Sequence, residues 1–137
     1  MKKFLFITFI CACFLSIASF VSGADKTVRV TWSQVIPDPT GAVIIGWNVY
    51  RSETPGVYTK GTYWVRAVYD NVVRPEYSVS NTITQPAVGG VPKPYYFVVT
   101  AYTSNTESDF SSEVSTTIQP ESPKVPGKPT NIMVEQQ

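Results

Sequence analysis

Histidine occurs nowhere in the 137 residues, and the two cysteines, Cys11 and Cys13, lie close to the start. The first absence excludes Ser-His-Asp and Cys-His nucleophilic catalysis, which need an imidazole base. Together the two absences remove the ligands of the usual zinc sets. Glycine-rich phosphate loops are lacking too, because Gly89-Gly90 runs into Val91-Pro92 and not into a helix start. No window carries apolar residues at helical spacing over a useful length. Charged residues make up only 15% of the chain and nearly cancel, so nothing points to nucleic acid.

What is present begins with a leader. Met1-Lys2-Lys3 is basic, Phe4 to Val21 is an uncharged run of 18 residues, and Ser22-Gly23-Ala24 supplies small residues before Asp25-Lys26-Thr27. Basic, apolar and small-residue regions in that order form a secretory signal peptide over 1–24, with cleavage expected between Ala24 and Asp25. Two competing readings are a retained anchor, at the short end for a bilayer span, and lipidation at Cys13. Against lipidation, Phe14-Leu-Ser-Ile-Ala continues the apolar run past the cysteine. Cleavage leaves 113 residues with no cysteine, and nine basic against ten acidic residues. Export usually permits disulfides, but none can form here, so stability has to come from a packed core. The expected location is extracellular, cell-surface or periplasmic, with only transient membrane contact through the signal peptide.

Residues 25–119 alternate with the period of strands. Val28, Val30 and Trp32 share one face of Thr27–Ser33, and Ile45, Trp47 and Val49 share a face of Ile44–Arg51. Tyr63–Tyr69 and Glu76–Thr84 follow, the latter with Tyr77, Val79 and Ile83 in phase. Pro94-Tyr-Tyr-Phe-Val-Val-Thr-Ala-Tyr102 is the central strand. It sets Tyr95, Phe97, Val99 and Ala101 on an apolar face and Tyr96, Val98, Thr100 and Tyr102 on the other. Ser111–Ile118 closes the set. Pro37-Asp-Pro-Thr-Gly41, Ser52-Glu-Thr-Pro-Gly56 and Pro86-Ala-Val-Gly-Gly90 are turn chemistry between them. Six strands with no helix predict an all-β fold, an antiparallel two-sheet sandwich or a small barrel. The stretch from Tyr63 to Pro86 echoes that from Tyr95 to Pro120. The echo is either a duplicated strand pair or a shared strand alphabet, and one pair does not establish a repeat.

The tail, 120–137, is different. Pro120, Pro123, Pro126 and Pro129 recur every third residue, the period of a polyproline II spacer. Thr130-Asn-Ile-Met-Val-Glu135 then has Ile132 and Val134 in phase, like a short strand.

These residues resemble a fibronectin type III domain of bacterial secreted proteins, over about 27–119. Val28-Arg-Val-Thr-Trp32 resembles the family's second strand with Trp32 as its core tryptophan, and Gly46-Trp-Asn-Val-Tyr-Arg51 its third. Tyr95-Tyr-Phe-Val-Val-Thr-Ala-Tyr102 and Glu107-Ser-Asp-Phe-Ser-Ser-Glu-Val-Ser115 are similar to its last two strands. The resemblance implies an immunoglobulin-like sandwich and puts Tyr95 at the tyrosine corner, its hydroxyl bonding backbone a few residues upstream. The segment between Tyr58 and Tyr95 is longer than the family needs. The family's first strand is missing ahead of Asp25, and a look-alike, Pro126–Val134, stands at the other end. A sandwich without that strand exposes an edge. The tail then covers an edge of its own domain, adds to a neighbour through 126–134, or leaves the edge open.

The expected function is that of a secreted non-catalytic module, a spacer, adhesion or protein-interaction unit, with no cofactor or metal. Trp32, Trp47, Val49, Tyr95, Phe97 and Val99 are the expected structural core. Tyr50, Trp64, Tyr96 and Tyr102 fall on the opposite phase and are the candidate interaction surface, for a protein or a polysaccharide. Outer-face aromatics also simply pair across strands. Glu107, Asp109 and Glu113 cluster in sequence, and a solvated turn accounts for them better than a glycosidase pair or a calcium loop. The alternatives to a spacer are a carbohydrate-binding module and a subunit of an extracellular assembly joined by strand addition.

Overall fold

The structure, a computed structural model, describes residues 23–130 and 133. The expected leader as far as Ser22 and most of the expected tail strand, including Ile132 and Val134, lie outside the described residues. Within them there is no helix and there are six strands: β1 (Asp25–Trp32), β2 (Gly46–Ser52), β3 (Val65–Val68), β4 (Tyr77–Thr84), β5 (Lys93–Tyr102) and β6 (Val114–Ile118). Each alternating segment of the sequence yields one strand, because period-two patterning buries one face and wets the other. The turns carry the residues that need special geometry. In Asp38-Pro-Thr-Gly41, Gly41 has φ 81° and its N–H donates to Asp38 O at 2.9 Å.

The strands form two antiparallel sheets. In one, β1 pairs with β4 from Asp25↔Thr84 to Trp32↔Tyr77. The other has the order β3-β2-β5-β6, with β2 against β5 from Gly46↔Tyr102 to Ser52↔Tyr96. The sheets face each other as a β-sandwich, and β5 lies inside the larger sheet, as its hydrophobic content predicts. Gly46 is required where β2 passes between its neighbours. A Cβ there would stand 2.3 Å from Ala67 O and 2.6 Å from the Tyr102 hydroxyl.

Between the sheets lies one apolar cluster. Trp47, Val49, Tyr95, Phe97 and Val99 from the larger sheet meet Val30, Tyr77 and Ile83 from the smaller, and all are buried. Trp32 is only half-buried at the margin of this cluster, its ring 5.5 Å from Trp47. Trp47 also packs 4.4 Å from Tyr77. Burying side chains of this size is worth about 1.5–3 kcal/mol each, which is how the fold stands without a disulfide. Among the described residues, the indole N–H groups of Trp32 and Trp47 are buried without a partner, a cost set against that gain.

One expectation taken from the resemblance is not met. No hydrogen bond of the Tyr95 hydroxyl to upstream backbone occurs among the described residues; its ring instead lies beneath Arg51 and Lys93, with the cations 5.2 and 5.9 Å away. The upstream bond belongs to Tyr77, whose hydroxyl accepts from Arg74 N at 3.1 Å and donates to Val72 O at 3.5 Å. Tyr77 opens β4 directly after the 70–76 turn, so its ring reaches back over that turn.

Candidate interaction surface

The four aromatics set apart by their phase do not form an open platform. Tyr50 is buried at 1% exposure. Phe110 stands edge-on to it at 5.1 Å, and Gly61 N donates to its hydroxyl at 3.2 Å. Trp64 is half-buried and turns toward the core, 5.3 Å from Phe97. Tyr96 is half-buried. Tyr102 is half-buried as well, and Arg66 lies over it at 4.4 Å and over Tyr63 at 4.5 Å.

The reason is a second layer over the larger sheet. The connections 53–63 and 103–113 fold across its outer face, so that Asn48, Val98 and Thr100 are buried there with Tyr50. Glu107 is the centre of this layer. One of its oxygens accepts from Asn48 Nδ2 at 3.0 Å and from the hydroxyls of Tyr50 and Thr100. Arg66 Nε donates in turn to Asn48 Oδ1 at 2.8 Å. Burial pushes the Glu107 carboxyl up, but the bonds from Asn48, Thr100 and Tyr50 outweigh it and hold the group below its ordinary value. Burial and the bond to Glu107 raise Tyr50. Glu107 is therefore a half-buried tie and not the solvated turn residue its sequence neighbours suggest. The available signal was the other half of the network: Asn48, Tyr50 and Thr100 place amide and hydroxyl groups on one face of two central strands, and such groups need a partner when covered.

Glu113 plays a similar part at the surface, accepting from Gly56 N and the Tyr58 hydroxyl at 2.7 Å each. The bond from Tyr58, then that from Gly56, holds Glu113 below its ordinary range, while burial and then the bond to Glu113 push Tyr58 up. Asp109 is exposed. These carboxylates are thus separated by role: one ties the sheet, one ties a loop, and one faces water. Among the described residues no three Asp or Glu side chains gather at metal-binding distance.

The smaller sheet presents a different kind of site. Among the described residues β1 pairs only with β4, so its second edge is unpaired. Gln85 N donates to Ala24 O at 2.9 Å, which makes Ala24 and Gln85 a hydrogen-bonded pair. Because such pairs alternate in antiparallel ladders, Lys26, Val28, Val30 and Trp32 bond toward β4, and Asp25, Thr27, Arg29 and Thr31 aim their N–H and C=O groups outward. Beside this edge runs a groove of about 380 Å³, lined by Lys26–Arg29, by Thr116–Gln119 and by Gln85. Ile118 is buried in the core cluster, and Val28 packs against it. β1 has eight residues and no proline. β3, at the edge of the other sheet, has only four. Long regular edges are the ones able to accept a further strand.

No family model, curated protein or solved structure matches the chain, so the site stands on its geometry alone.

Proposed function

We propose that this chain is an exported, non-catalytic binding module of the fibronectin type III kind, which takes an extended segment of a protein partner along the open edge of β1. The observation that carries this reading is the row of outward main-chain groups at Asp25, Thr27, Arg29 and Thr31, set beside the groove. In this mode of recognition, main-chain bonds supply affinity and the adjoining pockets supply selectivity.

Other features support it. β2, β5 and β6 stand side by side, as the third, sixth and seventh strands of an immunoglobulin-like domain do, and β1 pairs with β4 as the second does with the fifth. Glu107 is committed to three donors and Glu113 to two, a structural use of carboxylates that suits a scaffold. The basic, apolar and small-residue order of 1–24 supports export. The polysaccharide reading draws on Tyr50, Trp64, Tyr96 and Tyr102 sharing an open face, and that face is filled by Glu107, Tyr58 and Phe110.

The test is to pan a random peptide library against the folded chain and to repeat the binding with Thr27→Pro. That substitution removes an outward donor without touching the β1–β4 ladder. Peptides that bind the parent chain and are lost on Thr27→Pro, with circular dichroism and melting unchanged, are expected. Enrichment of no peptide, or only of peptides indifferent to Thr27→Pro, would sink the reading.

A further inference from the structure

The groove and the tail are complementary features of one chain. At the end of the sandwich where β1 starts, Gln85 Nε2 donates to Gln119 O at 2.8 Å and Glu121 N donates to Pro86 O at 2.8 Å. The tail therefore leaves the domain at the mouth of the groove. From 122 to 130 every residue is exposed and none is in a strand. Met133, beyond the last proline, is exposed at 87%.

Two physical arguments decide where the segment after Pro129 goes. The first is reach. Pro120 to Pro129 in polyproline II conformation spans about 28 Å, and β1, eight residues long, spans about 26 Å. A stiff spacer of that length carries Thr130 as far from its anchor as its own groove is long. The second is direction. β6 ends where β1 begins, so a tail turning straight back into its own groove would run parallel to β1. Every ladder in this molecule is antiparallel. A segment arriving from another molecule has no such restriction and can enter antiparallel to β1.

We propose that the β1 edge is the receptor for the C-terminal segment of a second copy, with Thr130–Val134 adding as a strand and successive copies linking head to tail. Thr130-Asn-Ile-Met-Val134 follows the last proline, so all five residues keep their N–H groups. Ile132 and Val134 alternate with Asn131 and Met133, the pattern of a strand with one apolar side. That side fits a groove bordered by Val28 and Ile118. Donor and receptor are different surfaces of one molecule. The contact is thus heterologous and builds open chains of subunits, not closed dimers. The proposal rests on the edge reading above and adds to it the identity of the occupant.

The experiment is light scattering on the exported chain over a concentration series, with two variants. Ile132→Asp with Val134→Asp disables the donor and leaves the edge, while Thr27→Pro disables the edge and leaves the donor. The parent chain is expected to grow past the mass of a dimer as concentration rises, and each variant alone to stay monomeric. Mixing the two variants restores one competent contact and is expected to give a heterodimer that grows no further. A parent chain that stays monomeric at every concentration, or polymers that persist in either variant, would overturn the proposal. If the parent is monomeric while library peptides still bind in a Thr27-dependent manner, the edge reading stands and its occupant is another protein. If those peptides fail as well, both readings fall.

Discussion

The two sheets of this sandwich are finished to different degrees. The central strands β2 and β5 of the larger sheet are covered on both sides: Trp47, Val49, Phe97 and Val99 face the core, and Asn48, Tyr50, Val98 and Thr100 lie under the connections that hold Glu107 and Phe110. The β1–β4 sheet is covered on one side only. Its outer face is serine, threonine, Asp25 and Arg29, open to water, and among the described residues the second side of β1 is unpaired. A sheet buried on both faces holds the molecule together. One buried on a single face, with an unpaired edge, has backbone groups to offer. The doubly covered central strands and the unpaired backbone edge thereby lie in different layers, and a change in one is expected to spare the other.

That separation can be broken hardest in the larger sheet. Phe97→Ala empties a site that is 2% exposed between the layers, and a loss of about 3–5 kcal/mol is expected from urea unfolding. A loss below about 1 kcal/mol would mean that β5 is not the centre of the core.

The next effect lies on the outer side of the same sheet. Glu107→Ala leaves the Asn48, Tyr50 and Thr100 donors without their shared acceptor, and about 1–3 kcal/mol is expected to go with it. The pH dependence follows from the sign of the shift. Glu107 is held below its ordinary value of 4.5, so its contribution is complete above that pH and is lost as acid carries the pH down through the folded value. Asp70, held down to about 2 by its bonds from Arg74, follows the same direction lower on the scale. Melting temperature is therefore expected to fall below about pH 4.5, and Glu107→Gln to flatten the upper part of that fall. An acid profile unchanged by Glu107→Gln would detach this carboxylate from stability.

The smallest effect sharpens the contrast from the other side. Among the described residues Arg29 bonds only the Ser78 hydroxyl, at 2.8 and 3.0 Å, on the wet face of β1–β4. Arg29→Ala is expected to change stability by less than about 0.5 kcal/mol. A loss as large as that of Glu107→Ala would show that the smaller sheet is not energetically the lesser one.

Much of the fold was legible because it is local. The six alternating segments became six strands, since period-two burial needs no knowledge of partners. Val49, Phe97 and Val99 point inward for the same reason. The outer face of the larger sheet was not legible. Alternation puts Tyr50 and Tyr102 on the face opposite the core and then treats that face as water, whereas here two connections close over it. Trp64 falls outside the regular part of β3, where strand phase no longer dictates direction, and it packs on Phe97. The unpaired β1 edge was foreseeable from the order of segments. Its groove with β6 was not, because those residues are some ninety positions apart.

The sequence by itself determined that the chain is all-β, which segments are strands, which side of each is apolar, and that residues 23–137 contain neither a cysteine nor an imidazole. Tertiary structure decided the rest: that Glu107 is a half-buried shared acceptor, that Tyr77 and not Tyr95 bonds the backbone upstream, and that a groove adjoins the side of β1 left unpaired among the described residues. The physical reason is range. Side-chain alternation is set by neighbours two residues away, whereas covering a face, satisfying a carboxylate and leaving an edge open depend on segments that meet only when the chain is folded.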